Sequence, residues 1–270
     1  MDLDRAREVA VQAALAAGDL LRAGAAGEVG IRPKGQSGDV VTDLDLASEK
    51  LLVERILTEY PDHAVIAEES GLLGVSGGRW TWLVDPLDGT NNVAIGLPAY
   101  VVGLALCREG LPVLGVVHDP VTARTWSAVR GQGAHDAAGV RLAPAHRDSR
   151  HGPLLAWTQG YSVARGDTAV TALKATLELK ARRLLQLWAP LLSWAMLARG
   201  DIDGIVGYRA EAVDLPAGAL IAQEAGIEIR ALDGGPFEER IDGTPEDRSF
   251  VAAHPAGLES VLAFVRASGM

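Results

Sequence analysis

The sequence predicts a mixed protein, α+β over residues 1–142 and α/β over 143–270, and three observations carry the prediction. The first part runs as two helical stretches followed by strand-like segments. After residue 153, strand-like and helical stretches alternate, the pattern of an α/β layer. Between the two, "APAHRDSRHGP" (143–153) loses all periodicity and collects charge, Pro and Gly, as a subdomain boundary does.

Each element follows from its pattern. Leu3, Ala6, Ala10, Ala13, Ala17 and Leu20 recur at helical spacing. Acids rather than bases open that stretch and no long apolar core follows, so it reads as an amphipathic helix and not a secretory leader. A second helix is expected over 44–60, with Leu44, Ala47, Leu51 and Leu52 on its apolar face and Pro61 ending it. "HAVIAEES" and "WTWLVDP" are short apolar runs that end in acids, and they read as strands. Residues 100–134 predict three antiparallel strands, turning at "REGLP" and "DPVTAR". In the second part, "LLAW", "RRLLQLW", "DGIVGY", "IEIRAL" and "SFVAAH" read as strands. Helices are expected over 167–179, 191–199, 215–225 and 258–267.

Composition narrows the functional classes. Of 270 residues, 48% are hydrophobic and 22% charged, an ordinary globular balance with ample core material. The net charge of −10 argues against a nucleic-acid backbone as partner. No run of about 18 uncharged apolar residues offers a membrane span, and a soluble, cytoplasmic protein is expected. The single cysteine, Cys107, excludes an internal disulfide framework and lies in an apolar run, which predicts a buried structural thiol. Six histidines are scattered without metal-ligand spacing and read as surface or loop residues. Trp188 and Trp194 default to core packing, with Trp188 also a candidate for substrate contact.

The acids are the informative feature. Glu68 and Glu69 follow "AVIA", Asp85 and Asp88 follow "WLV", Asp214 follows "AEAV", and Asp39, Asp43 and Asp45 open the second helix. Carboxylates at strand ends can converge on one sheet edge, and hard oxygen ligands without Cys or clustered His suit magnesium. Within "DPLDGT", Pro86 stiffens the bend and Gly89 permits close backbone approach. Thr90 offers a hydroxyl to orient a water, and the N–H groups of Gly89 and Thr90 can receive phosphate oxygens. Each piece also has a plain structural reading. "DPLDG" is a common turn, "TDLD" fits a helix capping box, Asp214 can cap a helix, and the Glu pair can be a solvated strand end.

Taken in order, "DVVTDLD", "AEES", "DPLDGTNN" and "VDLPAGALIAQEAG" resemble the inositol monophosphatase family of magnesium-dependent, lithium-sensitive phosphatases, over almost the full chain, with "LDGGPFE" resembling its tail. The resemblance implies a layered αβαβα sandwich of the inositol monophosphatase/fructose-1,6-bisphosphatase type, a homodimer, two or three magnesium ions per site and a small phosphorylated metabolite as substrate. It implies that Glu68, Asp85 and the Leu87 carbonyl bind one metal, and Asp85, Asp88 and Asp214 a second. Catalysis falls to Thr90, Asp45 and Glu68, with Thr90 aiming the water and Asp45 supporting Thr90. Substrate contacts fall to Asp88, Gly89, Thr90, Asp214 and Trp188, and Lys34 stands beside the phosphate region.

The departures touch substrate positions. Val213 replaces a common tryptophan, "WAPL" (Trp188–Leu191) replaces a glycine-led segment, and Gly207 replaces an acid, with Glu211 nearby but out of register. The implied substrates therefore extend from inositol-phosphate-like to sugar and similar alcohol phosphates. Alternatives are histidinol-phosphate or nucleotide 3′-phosphate hydrolysis, or a non-catalytic member that binds metal or ligand. "VVTDLDLA" also looks like the nucleophile loop of haloacid dehalogenase-type enzymes, with Asp43 as nucleophile but Ala47 at the usual Thr or Val.

Overall fold

A computed structural model describes residues 1–270 apart from 28, 36–38, 76 and 147–149. Part of the 143–153 stretch thus lies outside the described residues. Two helices, α1 (Leu3–Gly24) and α2 (Asp43–Glu59), cover one face of a seven-stranded sheet. A small hairpin, β1 (Ile31–Lys34) with β2 (Asp39–Thr42), joins them.

The large sheet comprises β3 (Ala64–Ala67), β4 (Gly71–Gly74), β5 (Trp80–Asp88), β6 (Val101–Arg108), β7 (Leu111–Asp119), β8 (Arg124–Val129) and β9 (Gly133–Asp136). Its order is β4-β3-β5-β6-β7-β8-β9, and only β3 and β5 run parallel. A one-turn helix, α3 (Thr90–Ala94), follows β5 directly.

The second sheet takes β10 (Leu154–Gln159), β11 (Arg183–Leu185), β12 (Gly204–Tyr208), β13 (Glu228–Ala231) and β14 (Phe250–Ala253), in the order β11-β10-β12-β14-β13. Helices α5 (Pro190–Arg199) and α6 (Pro216–Glu224) lie between the sheets, while α4 (Thr168–Lys180) and α7 (Pro255–Ala267) cover the outer face of the second. The stack is therefore α, β, α, β, α, the expected sandwich.

Strand alternation builds three apolar layers. On β6, Val102, Leu104 and Leu106 face α1 and α2, while Val101, Ala105 and Cys107 face α5 and α6. On β12, Val206 and Tyr208 pack towards α4 and α7, and Ile205 packs inward. Cys107 is fully buried, as expected, and burial pushes its thiol up to about 12. Among the described residues no helix is long and apolar enough to cross a membrane.

Three expectations need correction. The buried face of α2 is Asp45, Ser48, Glu49, Leu52 and Ile56, whereas Ala47 is exposed. The reason is polar anchoring, since Ser48 Oγ donates to Pro86 O at 2.8 Å and Glu49 accepts from Glu69 N at 2.7 Å. Two histidines are core residues. His63 stacks on Tyr60 and accepts from Trp82 Nε1 at 3.1 Å, and His118 pairs with Thr125 Oγ1 at 2.9 Å. Trp188 is 52% exposed, unlike the fully buried Trp194.

Candidate active site

The parallel pair β3 and β5 ends at one edge of the large sheet, and that edge delivers the acids. Glu68 follows β3, and β5 carries Asp85 and Asp88 through a register shift where Pro86 interrupts pairing with β6. Proline has no N–H to give a ladder, so the pairing is interrupted there, and both carboxylates line the same cleft. Asp214 arrives from the loop between β12 and α6. Glu68, Asp85, Leu87, Asp88, Gly89, Thr90, Trp188 and Asp214 all line one cleft, as does Lys34.

Asp45 stands behind this wall. Its Oδ2 accepts from Thr42 N at 2.8 Å and from Thr42 Oγ1, completing the capping box of α2. Its Oδ1 accepts from Thr90 Oγ1 at 2.7 Å. Thus the capping reading and the site reading of "TDLD" both hold, one carboxylate oxygen serving each. Thr90 Oγ1 also lies 3.0 Å from Leu87 O, so its single proton has two acceptors and the ionised Asp45 is the stronger. The hydroxyl lone pairs are then left for a donor in the cleft.

Gly89 takes φ +111°, and a Cβ built there would lie 2.7 Å from Ala99 O. Only glycine allows this approach, and α3 begins immediately after it with no side chain capping its first N–H groups.

The electrostatics are those of a cage short of positive charge. Asp85 is 2% and Asp88 5% exposed. Burial first, and then neighbouring carboxylates, hold Asp85, Asp88 and Asp214 well above the usual carboxylate range. Burial also pushes Glu68 up to about 7 against the pull of Lys34. Lys34 Nζ is 2.7 Å from Glu68 Oε1 and 2.6 Å from Glu69 Oε1, an ammonium standing where cationic charge is needed. Asp88 is further held by N–H donors of Leu191 and Leu192 at 2.7 and 3.3 Å.

A buried all-oxygen donor set with surplus negative charge fits a hard divalent cation. As they stand, no three His, Cys, Asp or Glu side chains among the described residues are arranged to hold one. Lys34 draws Glu68 and Glu69 to itself, and like charges elsewhere in the cage repel.

Sequence reasoning missed several supports. Glu49 braces the "EES" turn through Glu69 N and Ser70 Oγ, and Asn92 donates to Ala99 O at 2.6 Å and to Leu187 O. The signal for α2 was present, because residues 45, 48, 49, 52 and 56 follow core-facing spacing with polar types at the first three. Asp43 is exposed and paired with Arg32, outside the cleft lining, which removes the dehalogenase-type reading.

Fold and site together define a layered α/β protein with an acid-lined cleft at a sheet edge. The chain belongs to the Inositol monophosphatase family, whose sequence model matches residues 2–269. It is 36% identical over 214 residues to an inositol-1-monophosphatase of Mycobacterium leprae, covering 77% of this chain and 73% of that one. It is 31% identical over 260 residues to the Nus factor SuhB of Escherichia coli K12, covering 96% and 94%. Among solved structures, the inositol monophosphatase of Anabaena superposes with a TM-score of 0.82 at 26% identity, over 99% of this chain and 97% of that one. An IMPase/NADP phosphatase complexed with Mg2+ and phosphate shares the fold, with a TM-score of 0.74 at 22% identity over 92% and 89%.

Proposed function

We propose that this chain is a magnesium-dependent phosphate monoester hydrolase acting on a small phosphorylated alcohol. The observation that carries the reading is the convergence of Glu68, Asp85, Asp88 and Asp214 on one cleft, beside a Thr90 hydroxyl tied to Asp45. Glu68, Asp85 and the Leu87 carbonyl would hold one magnesium, and Asp85, Asp88 and Asp214 a second. Bound there, magnesium would acidify a water and offset charge on the phosphate and leaving oxygens.

The chain's own residues supply the rest. Thr90 Oγ1, its proton directed to Asp45, accepts a hydrogen from the attacking water and so aims its lone pair. Asp45 is held above its ordinary value, chiefly by burial, which makes it a better acceptor for the charge that Thr90 relays. The uncapped N–H groups where α3 begins at Gly89 and Thr90 take phosphate oxygens. No phosphoenzyme is needed. The homodimer, and the absence of nucleic-acid and membrane partners, belong to the same proposal and follow the family resemblance and the net charge of −10.

The name Nus factor, carried by relatives such as the E. coli protein, suggests a second reading, in which the chain serves as a binding partner in transcription. A protein used only for its surface has no need to bury unneutralised carboxylates, and the hydrolase reading stands on that. The test is magnesium-dependent release of phosphate from a panel of monoesters, with Asp88→Asn as control. Folded protein that binds magnesium yet releases no phosphate from any ester overturns the proposal.

A further inference from the structure

Beyond the carboxylates the cleft wall changes character. Trp188 is 52%, Tyr161 49% and Ile95 67% exposed, and all three line the cleft that holds Asp85 and Asp88. Large apolar side chains gathered in a concave site mark ligand contact rather than ordinary surface. Trp188 is the most telling. Its φ is +52°, a region that suits glycine and strains a tryptophan. The backbone is clamped on both sides of it. Asn92 Nδ2 donates to Leu187 O, and the N–H groups of Leu191 and Leu192 donate to Asp88 Oδ2. Outliers of this kind persist where the surroundings over-determine them, and they concentrate at ligand contacts.

Several positions from which a polar group could meet a polyhydroxyl ring are closed or already hydrogen-bonded. Gly207 lies within β12, and a Cβ there would sit 2.3 Å from Phe250 Cε1, so no acid can project from it. Glu211 Oε1 is committed to Tyr161 N at 2.8 Å, which fixes the tyrosine loop against the cleft. Gln159 Oε1 accepts from Trp157 Nε1 at 3.1 Å, and Gln186 Oε1 accepts from Lys174 Nζ at 2.5 Å.

Resting on the hydrolase reading above, we propose that the preferred substrate is the phosphate monoester of an alcohol bearing a flat apolar or aromatic ring, with Trp188 and Tyr161 as its specificity-determining contacts. The phosphate end lies against Thr90 and the acids, and the ring lies against the indole. An amphipathic aromatic wall favours such a ring by stacking and by removal of apolar surface from water.

The full chain with magnesium is offered two primary esters whose leaving alcohols have similar basicity, 2-phenylethyl phosphate and glycerol 1-phosphate, and phosphate release is followed. The phenylethyl ester is expected to give a kcat/KM about tenfold or more higher, as a ring-sized apolar contact allows. Trp188→Ala should lower that value about tenfold, mainly through KM, and lower the glycerol ester's by a clearly smaller factor, so that the preference for the ring collapses. Tyr161→Ala should act in the same direction. Trp188→Gly accepts the backbone conformation, so it separates loss of the ring from loss of the fold, and a thermal melt no lower than wild type is expected. Hydrolysis of both esters with no preference, or equal losses on both in the variants, overturns the ring assignment and leaves the phosphatase intact. Release from neither of these esters, with phosphate still released from others of the panel, overturns the ring assignment alone, and release from no ester of the panel removes the phosphatase reading with it.

Discussion

With a chelator present, raising the pH from about 5 to about 7.5 forces Glu68 to ionise inside a ring of carboxylates. Its folded value stands at about 7 against an ordinary 4.5, with burial as the main cause. The sign follows from proton binding. Between those values the folded chain holds a proton that the unfolded chain has released, so the stabilisation present below 4.5 is lost as pH rises through about 7. At ~1.4 kcal/mol per pH unit the loss is at most ~3 kcal/mol, or roughly 5 °C in Tm for a chain of this size. Asp85, Asp88 and Asp214 are raised by the same causes and add in the same direction. His63 and His118 oppose it, because burial lowers both and favours folding as they lose protons. The readout that cancels them is the Tm difference between wild type and Glu68→Gln, followed by circular dichroism across the pH range. The variant mimics the protonated acid, so the two should melt together at about pH 5. The wild type should then fall several degrees below the variant by about pH 7.5, and magnesium should rescue the wild type far more, since the ionised carboxylate is what takes a cation. A difference that does not change with pH, or equal protection of both by magnesium, would refute the reasoning.

Other outcomes follow from single contacts. Thr90→Ala should lower kcat by about 10²- to 10³-fold with little change in KM or in magnesium binding, in steady-state kinetics and calorimetry, because it removes a positioning hydroxyl and no ligand. Gly89→Ala, with its Cβ 2.7 Å from Ala99 O at φ +111°, should cost about 2–4 kcal/mol in denaturant unfolding. Cys107, buried and pushed up to about 12, should resist a thiol reagent in native protein and react on unfolding.

The layers were legible because their signal is apolar periodicity, and apolar periodicity is what the three cores use. "WTWLV", "VVGLALC" and "SFVAAH" are strands as read, and in the structure they alternate faces, with Trp82 and Val84 on one side of the large sheet and Leu83 on the other. What escaped was structure held by polar contacts. The β1–β2 hairpin pairs two four-residue strands of which β1 is largely exposed, and β4 is four residues long and carries two glycines, so neither offers a hydrophobic pattern long enough to read. The true face of α2 escaped for a related reason. A reader weighing hydrophobicity places Leu44 and Ala47 inward, whereas the fold buries Asp45, Ser48 and Glu49 and satisfies each with a specific partner.

That exception locates the candidate site by itself. A helix that buries three polar residues forgoes apolar contact on that face, and each buried group would cost about 1–3 kcal/mol if left unpaired. Asp45, Ser48 and Glu49 avoid that cost only by fixing Thr90, Pro86 and the backbone of Glu69, which set the positions of the acids in the cleft. Trp188 follows the same logic from the other side of the cleft, where a residue type unsuited to its φ is retained beside the acids. Asp45, Ser48 and Glu49 stand behind the cleft and act on it through Thr90, Pro86 and Glu69, whereas Trp188 lines it directly. Polar bracing of the segments that carry Asp85 and Asp88, in place of apolar packing, is what a site maintained against the demands of stability produces.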